Sequence, residues 1–187
     1  MTLEEMKRKV LGLIEELNPK SENLTDDPDI AAKLNSVINQ IMFELVRLKK
    51  LPKYVEMYVA AGGRITFEDI EKASGYEVYQ VSKISGVSVT PKADNTIFKV
   101  LDGGTAEIDF YAYPERITDQ TKDKAYEFEL SNDVLEIMPY GVAADLLKSD
   151  VSTEYGSIYA NRYESMKNML DSRYGTACLY ADGGYDI

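Results

Sequence analysis

The sequence predicts an α+β fold: a four-helix bundle built from N- and C-terminal helical pairs, with a β-rich domain, an antiparallel sheet or small sandwich, inserted between them. Three observations predict it. Apolar residues recur at helical spacing near both ends of the chain. Between them, alternation and turn-forming residues take over. Each helical end leaves an apolar stripe that needs a partner to cover it. The implied division is a helical bundle over 1–52 and 131–173, a β-rich domain over 53–130, and an extended C-terminal tail over 174–187.

Leu3, Met6, Val10, Leu13, Ile14 and Leu17 lie three or four residues apart and form one helical face. Thr2 and Glu5 have capping-box spacing at its start, and Asn18-Pro19 ends it because proline disfavours helical geometry in the residue before it. After a polar loop, Asp27-Pro28 has the form of an N-cap followed by proline at the first helical position. The stripe of Ile30, Leu34, Val37, Ile38, Ile41, Leu45 and Leu48 then defines a long helix. Arg47, Lys49 and Lys50 stand where positive charge suits its dipole. These two helices are expected to pack as a hairpin.

Past Leu51-Pro52 the period changes to two. Tyr54, Glu56 and Tyr58 fall on one side of a strand, and Val55, Met57 and Val59 on the other. Residues 66–70 fit either a strand or a capped helical turn. Strands are expected over 78–84, 87–89, 96–101 and 106–113, the last two joined as a hairpin by Asp102-Gly103-Gly104, whose glycines tolerate positive φ. Tyr126, Phe128 and Leu130 suggest one more strand. Helical periodicity returns with Val134, Leu135, Met138, Val142, Leu146 and Leu147, interrupted by Pro139, which implies either a kink or a second helix. Thr153 would cap a last helix carrying Ile158, Tyr159, Arg162, Tyr163, Met166, Met169 and Leu170.

The chain has 187 residues, 44% hydrophobic and 28% charged, a composition of globular rather than disordered or membrane-spanning chains. At this length folding buries roughly 70% of the extended surface, so no metal or disulfide staple is required. No stretch reaches the roughly 18 apolar residues of a membrane span, and the charged first residues do not resemble a signal peptide. The single cysteine, Cys178, can form no intramolecular disulfide. Net charge is −11, from 21 Lys plus Arg against 32 Asp plus Glu, and it concentrates after residue 50. Such a balance opposes tight nonspecific nucleic-acid binding, which draws its affinity from basic groups.

Histidine is absent. The chain therefore lacks the commonest general acid–base and the commonest metal ligand, and serine–histidine and cysteine–histidine nucleophile arrangements are excluded. Neither glycine-rich phosphate-binding pattern occurs. Glu107, Asp109, Glu115 and Asp119 could furnish a glycosidase carboxylate pair, but alternation reads the first two as a solvated strand face. No catalytic, cofactor-binding or metal residue is nominated, and the chain is read as a non-enzyme without cofactor.

Tyrosine is the conspicuous excess, at fourteen residues. Tyrosine suits interfaces because its ring gains from burial while its hydroxyl keeps a polar partner. Those of the β region, Tyr54, Tyr58, Tyr76, Tyr79, Tyr111 and Tyr113, fit cross-strand packing or, as the alternative function, a non-catalytic carbohydrate- or peptide-binding face. In the tail, Tyr174, Cys178, Leu179, Tyr180, Tyr185 and Ile187 alternate with small or acidic residues and could add a strand to another subunit.

Ser131-Asn132-Asp133-Val134-Leu135-Glu136-Ile137-Met138-Pro139-Tyr140-Gly141-Val142-Ala143-Ala144-Asp145-Leu146-Leu147, followed by Tyr155-Gly156-Ser157-Ile158-Tyr159 and Arg162-Tyr163-Glu164, resembles the head-to-tail adaptor (connector) proteins of tailed bacteriophages, of the tubular tail protein A type. The resemblance extends to chain length and element order and is sharpest in these segments. It implies a virion structural protein made in the bacterial cytoplasm and resident at the head–tail junction. There it would be a homo-oligomeric ring, dodecameric on the portal, that contacts portal and tail or nozzle proteins and conducts DNA through its bore without reading it or touching a membrane.

Overall fold

The computed structural model describes residues 1–21, 23–93, 95–149 and 154–172. Its architecture is mixed α+β, with five helices and two small antiparallel sheets. Helix α1 (Leu3–Leu13) begins at the expected capping box: Thr2 N donates to Glu5 Oε2 at 2.9 Å and Glu5 N to Thr2 Oγ1 at 3.2 Å. Helix α2 (Pro28–Leu48) starts behind Asp27, whose carboxylate accepts from Asp29 N and Ile30 N. Strand β1 (Pro52–Val59) follows. Strand β2 (Arg64–Thr66) leads into α3 (Phe67–Ser74), a helix closed at each end by local chemistry. Thr66 and Asp69 form a second capping box, and Gly75 at φ 79° takes the left-handed C-cap.

Strands β3 (Val78–Ser85) and β6 (Gly104–Ala112) join β1 in a sheet of order β1-β6-β3. Strands β4 (Val89–Lys92) and β5 (Ile97–Val100) join β2 in a second, of order β2-β5-β4. Both sheets, with α3, turn apolar residues into one core that includes Ile65, Ile70, Phe98, Val100, Ile108 and Phe110. The expected hairpin across Asp102-Gly103-Gly104 does not form, because its two strands enter different sheets. Gly103 and Gly104 take no positive φ, and Asp102 instead accepts from Ser88 N at 2.6 Å and Ser88 Oγ at 3.0 Å.

Helix α4 (Asn132–Leu146) runs through Pro139 as one helix, and a single 3₁₀ turn, Leu147–Ser149, follows it. Helix α5 (Tyr155–Ser172) is the last element described. Thr153, the expected cap, lies outside the described residues.

The expected bundle of two terminal pairs is corrected. The helices are not arranged as N- and C-terminal pairs around an inserted β domain. Helix α4 is a hub on which α1, α2 and α5 each pack, while α3 belongs with the sheets. The anticipated α1–α2 hairpin is replaced because both helices also bind the irregular segment 113–130. Asn39 of α2 donates to Ile117 O at 2.7 Å and accepts from Ile117 N at 2.9 Å. At the start of α1, Leu3 N donates to Tyr126 O at 3.0 Å, and Lys7 pairs with Asp123 at 2.8 Å. Tyr126, Phe128 and Leu130 are buried in the helical core, as their alternation implies, yet they form no strand. A single bridge, Thr2 to Glu127, is all the pairing they obtain. Thr2 is already the cap of α1, so the chain turns into the helix directly after this bridge.

Candidate interaction surfaces

The tyrosines of the first sheet divide into two sets with different work. One set fastens the sheet to the helices. Tyr79 lies between Tyr111, with ring centroids 6.1 Å apart, and Tyr113, at 5.0 Å, and Tyr113 meets Phe43 of α2 edge-on at 5.3 Å. Cations from the end of α2 and the start of β1 complete the seam. Arg47 Nε and Nη2 donate to the Tyr113 hydroxyl at 2.9 and 2.7 Å. Lys50 Nζ stands 4.5 Å from the Tyr111 ring centre, and Lys53 Nζ 4.0 Å from that of Tyr76. Lys53 also pairs with Glu129 at 2.8 Å, and Glu129 accepts from the Tyr76 hydroxyl at 3.1 Å. Burial among these rings pushes Tyr79 up to about 12.

The second set faces outward. Strand β1 alternates, turning Tyr54, Glu56 and Tyr58 to solvent and Val55, Met57 and Val59 toward the core. Tyr54 is 53% and Tyr58 77% exposed. Antiparallel register places Tyr54 opposite Asp109, Glu56 opposite Glu107 and Tyr58 opposite Thr105. The Tyr54 hydroxyl donates to Glu56 Oε1 at 2.6 Å. That bond, with partial desolvation and the charges of Glu56, Glu107 and Asp109, pushes Tyr54 up to about 12. The face thus combines two aromatic platforms with three carboxylates.

On α5 a buried side and an exposed edge differ as sharply. Tyr163 and Leu170 are buried against the helical core. The Tyr159 hydroxyl donates to Leu13 O at 2.6 Å, tying α5 to the end of α1, and Lys167 bridges Glu44 of α2 and Glu164. Helices α4 and α5 approach closely at Gly141, where a Cβ would stand 2.8 Å from the Tyr163 ring. Along one edge of the helix Tyr155 and Ile158 are more than half exposed, and Arg162 lies with its Cζ 4.3 Å from the Tyr140 ring centre. A cleft of about 400 Å³ opens beside Tyr155 and Tyr159, floored by Leu13, Ile14 and Ile30 and rimmed by Glu15 and Asp29.

Of the carboxylates considered for a glycosidase pair, Glu107 and Asp109 share the exposed face of β6, whereas Glu115 and Asp119 lie outside the sheet on segment 113–130. Among the described residues, no group of three or more Cys, Asp or Glu is placed to hold a metal ion. Likewise, no described helix is long and apolar enough to cross a membrane. Tyr174, Cys178, Leu179, Tyr180, Tyr185 and Ile187, the nominated tail contacts, lie outside the described residues. Sequence reading missed the cation–tyrosine seam. Its signal lay in Arg47 and Lys50, read with Lys49 as a helix terminus although both also meet aromatic rings, and in Lys53 of β1, to which no role was given. Compared with known proteins, the chain matches no family model and no curated protein.

Proposed function

We propose that this chain is a virion structural protein of the head-to-tail adaptor kind, a subunit of a ring below a portal that joins capsid to tail and lets DNA pass. One observation carries the reading: one edge of α5 exposes Tyr155 and Ile158 on successive turns, 56% and 53% open to solvent. Exposed apolar residues of this kind are suited to burial against a neighbouring copy. The resemblance of residues 131–164 to such adaptors supports it, since that stretch supplies the hub helix and the helix that bears this edge. A net charge of −11 also suits a conduit that must not hold DNA.

The test mixes the full chain with an assembled portal ring and weighs the products by light scattering and electron microscopy. A ring of copies on the portal is expected. A chain that stays monomeric at high concentration and also with the portal overturns the reading. Replacing Tyr155→Asp with Ile158→Asp should leave folding stability within about 0.5 kcal/mol yet abolish ring formation. Deleting residues 174–187 should preserve the fold and weaken docking.

The exposure of Tyr54 and Tyr58 favours a second reading, a carbohydrate- or peptide-binding face. Binding to a glycan or peptide array that Tyr54→Ala and Tyr58→Ala abolish would select it.

A further inference from the structure

Both sheets carry a directly opposed pair of like charges on the side away from their shared core, and the two pairs have opposite sign. On the first sheet Glu56 faces Glu107, with Asp109 two residues along the same strand face. Lys83 of β3, opposite Asp109, is the one cation that the strands add there. On the second sheet Arg64 faces Lys99, and Thr90 flanks Lys99 from the other side. Lys92, two residues beyond Thr90, shares that face. Arg64, Lys92 and Lys99 are exposed, and among the described residues none has a carboxylate within ion-pair distance.

Like charges directly opposite on neighbouring strands weaken a sheet. A chain that carries one such pair of each sign has two surfaces whose repulsions a single contact would relieve. Tyrosine rings strengthen the match, because Tyr54 and Tyr58 offer π faces to a guanidinium or ammonium group beside carboxylates that it can also reach. The inner faces of both sheets are spent on the common core, and beyond the part of the first sheet that Tyr111 gives to the seam, Tyr54, Glu56, Tyr58, Glu107 and Asp109 are exposed, as are Arg64, Lys92 and Lys99 on the second.

We infer that the Tyr54–Glu56–Tyr58–Glu107–Asp109 face of one copy docks on the Arg64–Lys92–Lys99 face of a second copy. The two surfaces differ, so the contact is heterologous and repeats head to tail, closing into a ring where the rotation between copies permits. The inference deepens the adaptor reading and rests on it for the closure of that ring.

The experiment uses the full chain in sedimentation velocity at roughly 50 mM and 1 M salt, where screening lengths differ severalfold. Wild type should associate at low salt and dissociate at high salt. Glu56→Lys with Glu107→Lys should stay monomeric at low salt, as should Arg64→Glu with Lys99→Glu. An equimolar mixture of the two variants should associate again, because each reversed face then meets its complement on the other. That recovery also shows that both variants are folded. Wild type that is monomeric at low salt, reversals that associate like wild type, or a mixture that stays monomeric would each overturn the inference. The adaptor reading is scored separately by portal docking: reversals that leave both self-association and docking intact remove this contact alone, whereas salt-sensitive association without docking removes the adaptor reading alone.

Discussion

Asn39 shows how one side chain can decide the path of a whole segment. It lies among Leu34, Ile38, Ile41 and Met42 on the buried side of α2, and its amide satisfies both backbone groups of Ile117. Asn39→Ala leaves a buried N–H and a buried C=O without partners, each costing about 1–3 kcal/mol. We expect the variant to lose about 2–4 kcal/mol, measured by urea denaturation. The sequence marks α2 as a helix through its apolar stripe, but nothing local distinguishes Asn39 from a solvent-facing polar residue. Its partner lies 78 positions away, and only the assembled core reveals the pairing. Tyr54 and Tyr58 are the converse. Strict alternation put them on the side opposite Val55 and Met57, and that local rule sufficed.

Among elements, capping and periodicity identified α1 and α2, and periodicity alone α5, because those signals act within a few residues. Topology was less legible. The split of β5 and β6 between two sheets, and the packing of segment 113–130 on α1 and α2, rest on long-range contacts that leave no periodic trace. The packing of α4 on α5 gives a direct test. Gly141→Ala gains helix propensity of up to about 1 kcal/mol but drives a methyl into Tyr163 and to within 3.1 Å of Ile41 Cγ2, and overpacking of this kind costs typically 1–3 kcal/mol. A net loss of about 1–2 kcal/mol in thermal or urea melts is expected, partly recovered by adding Tyr163→Leu.

The start of α4 carries a pH-dependent contribution. Burial pushes Asp133 up, but Lys49 at 2.7 Å and Ser131 outweigh it and hold its carboxyl below the usual range. A depressed carboxylate stabilises the fold fully above its unfolded value of about 3.9 and loses that contribution as pH falls through the lower folded value. Asp133→Asn should therefore be less stable than wild type by about 1 kcal/mol at pH 7, as expected for a partly exposed pair. The difference should vanish near the acid limit, as measured by urea midpoints along a pH series. At α3, Asp69 behaves alike: its bonds from Thr66 depress it despite some burial.

Two hydrophobic cores, one helical and one between the sheets, meet across the Tyr79–Tyr113–Arg47 seam. The seam should couple them into one cooperative transition. Tyr79→Ala combined with Tyr113→Ala removes the rings that bridge them, and calorimetry should then resolve two melting events where wild type gives one. Retention of a single event with an unchanged calorimetric to van't Hoff ratio would show that other contacts carry the coupling. The hub position of α4 reaches beyond stability into biogenesis. Its partners α1 and α2 leave the ribosome long before residues 132–146 are translated, so their greasy stripes travel uncovered through most of elongation. The helical core therefore cannot close until the hub has emerged, however early its other helices form.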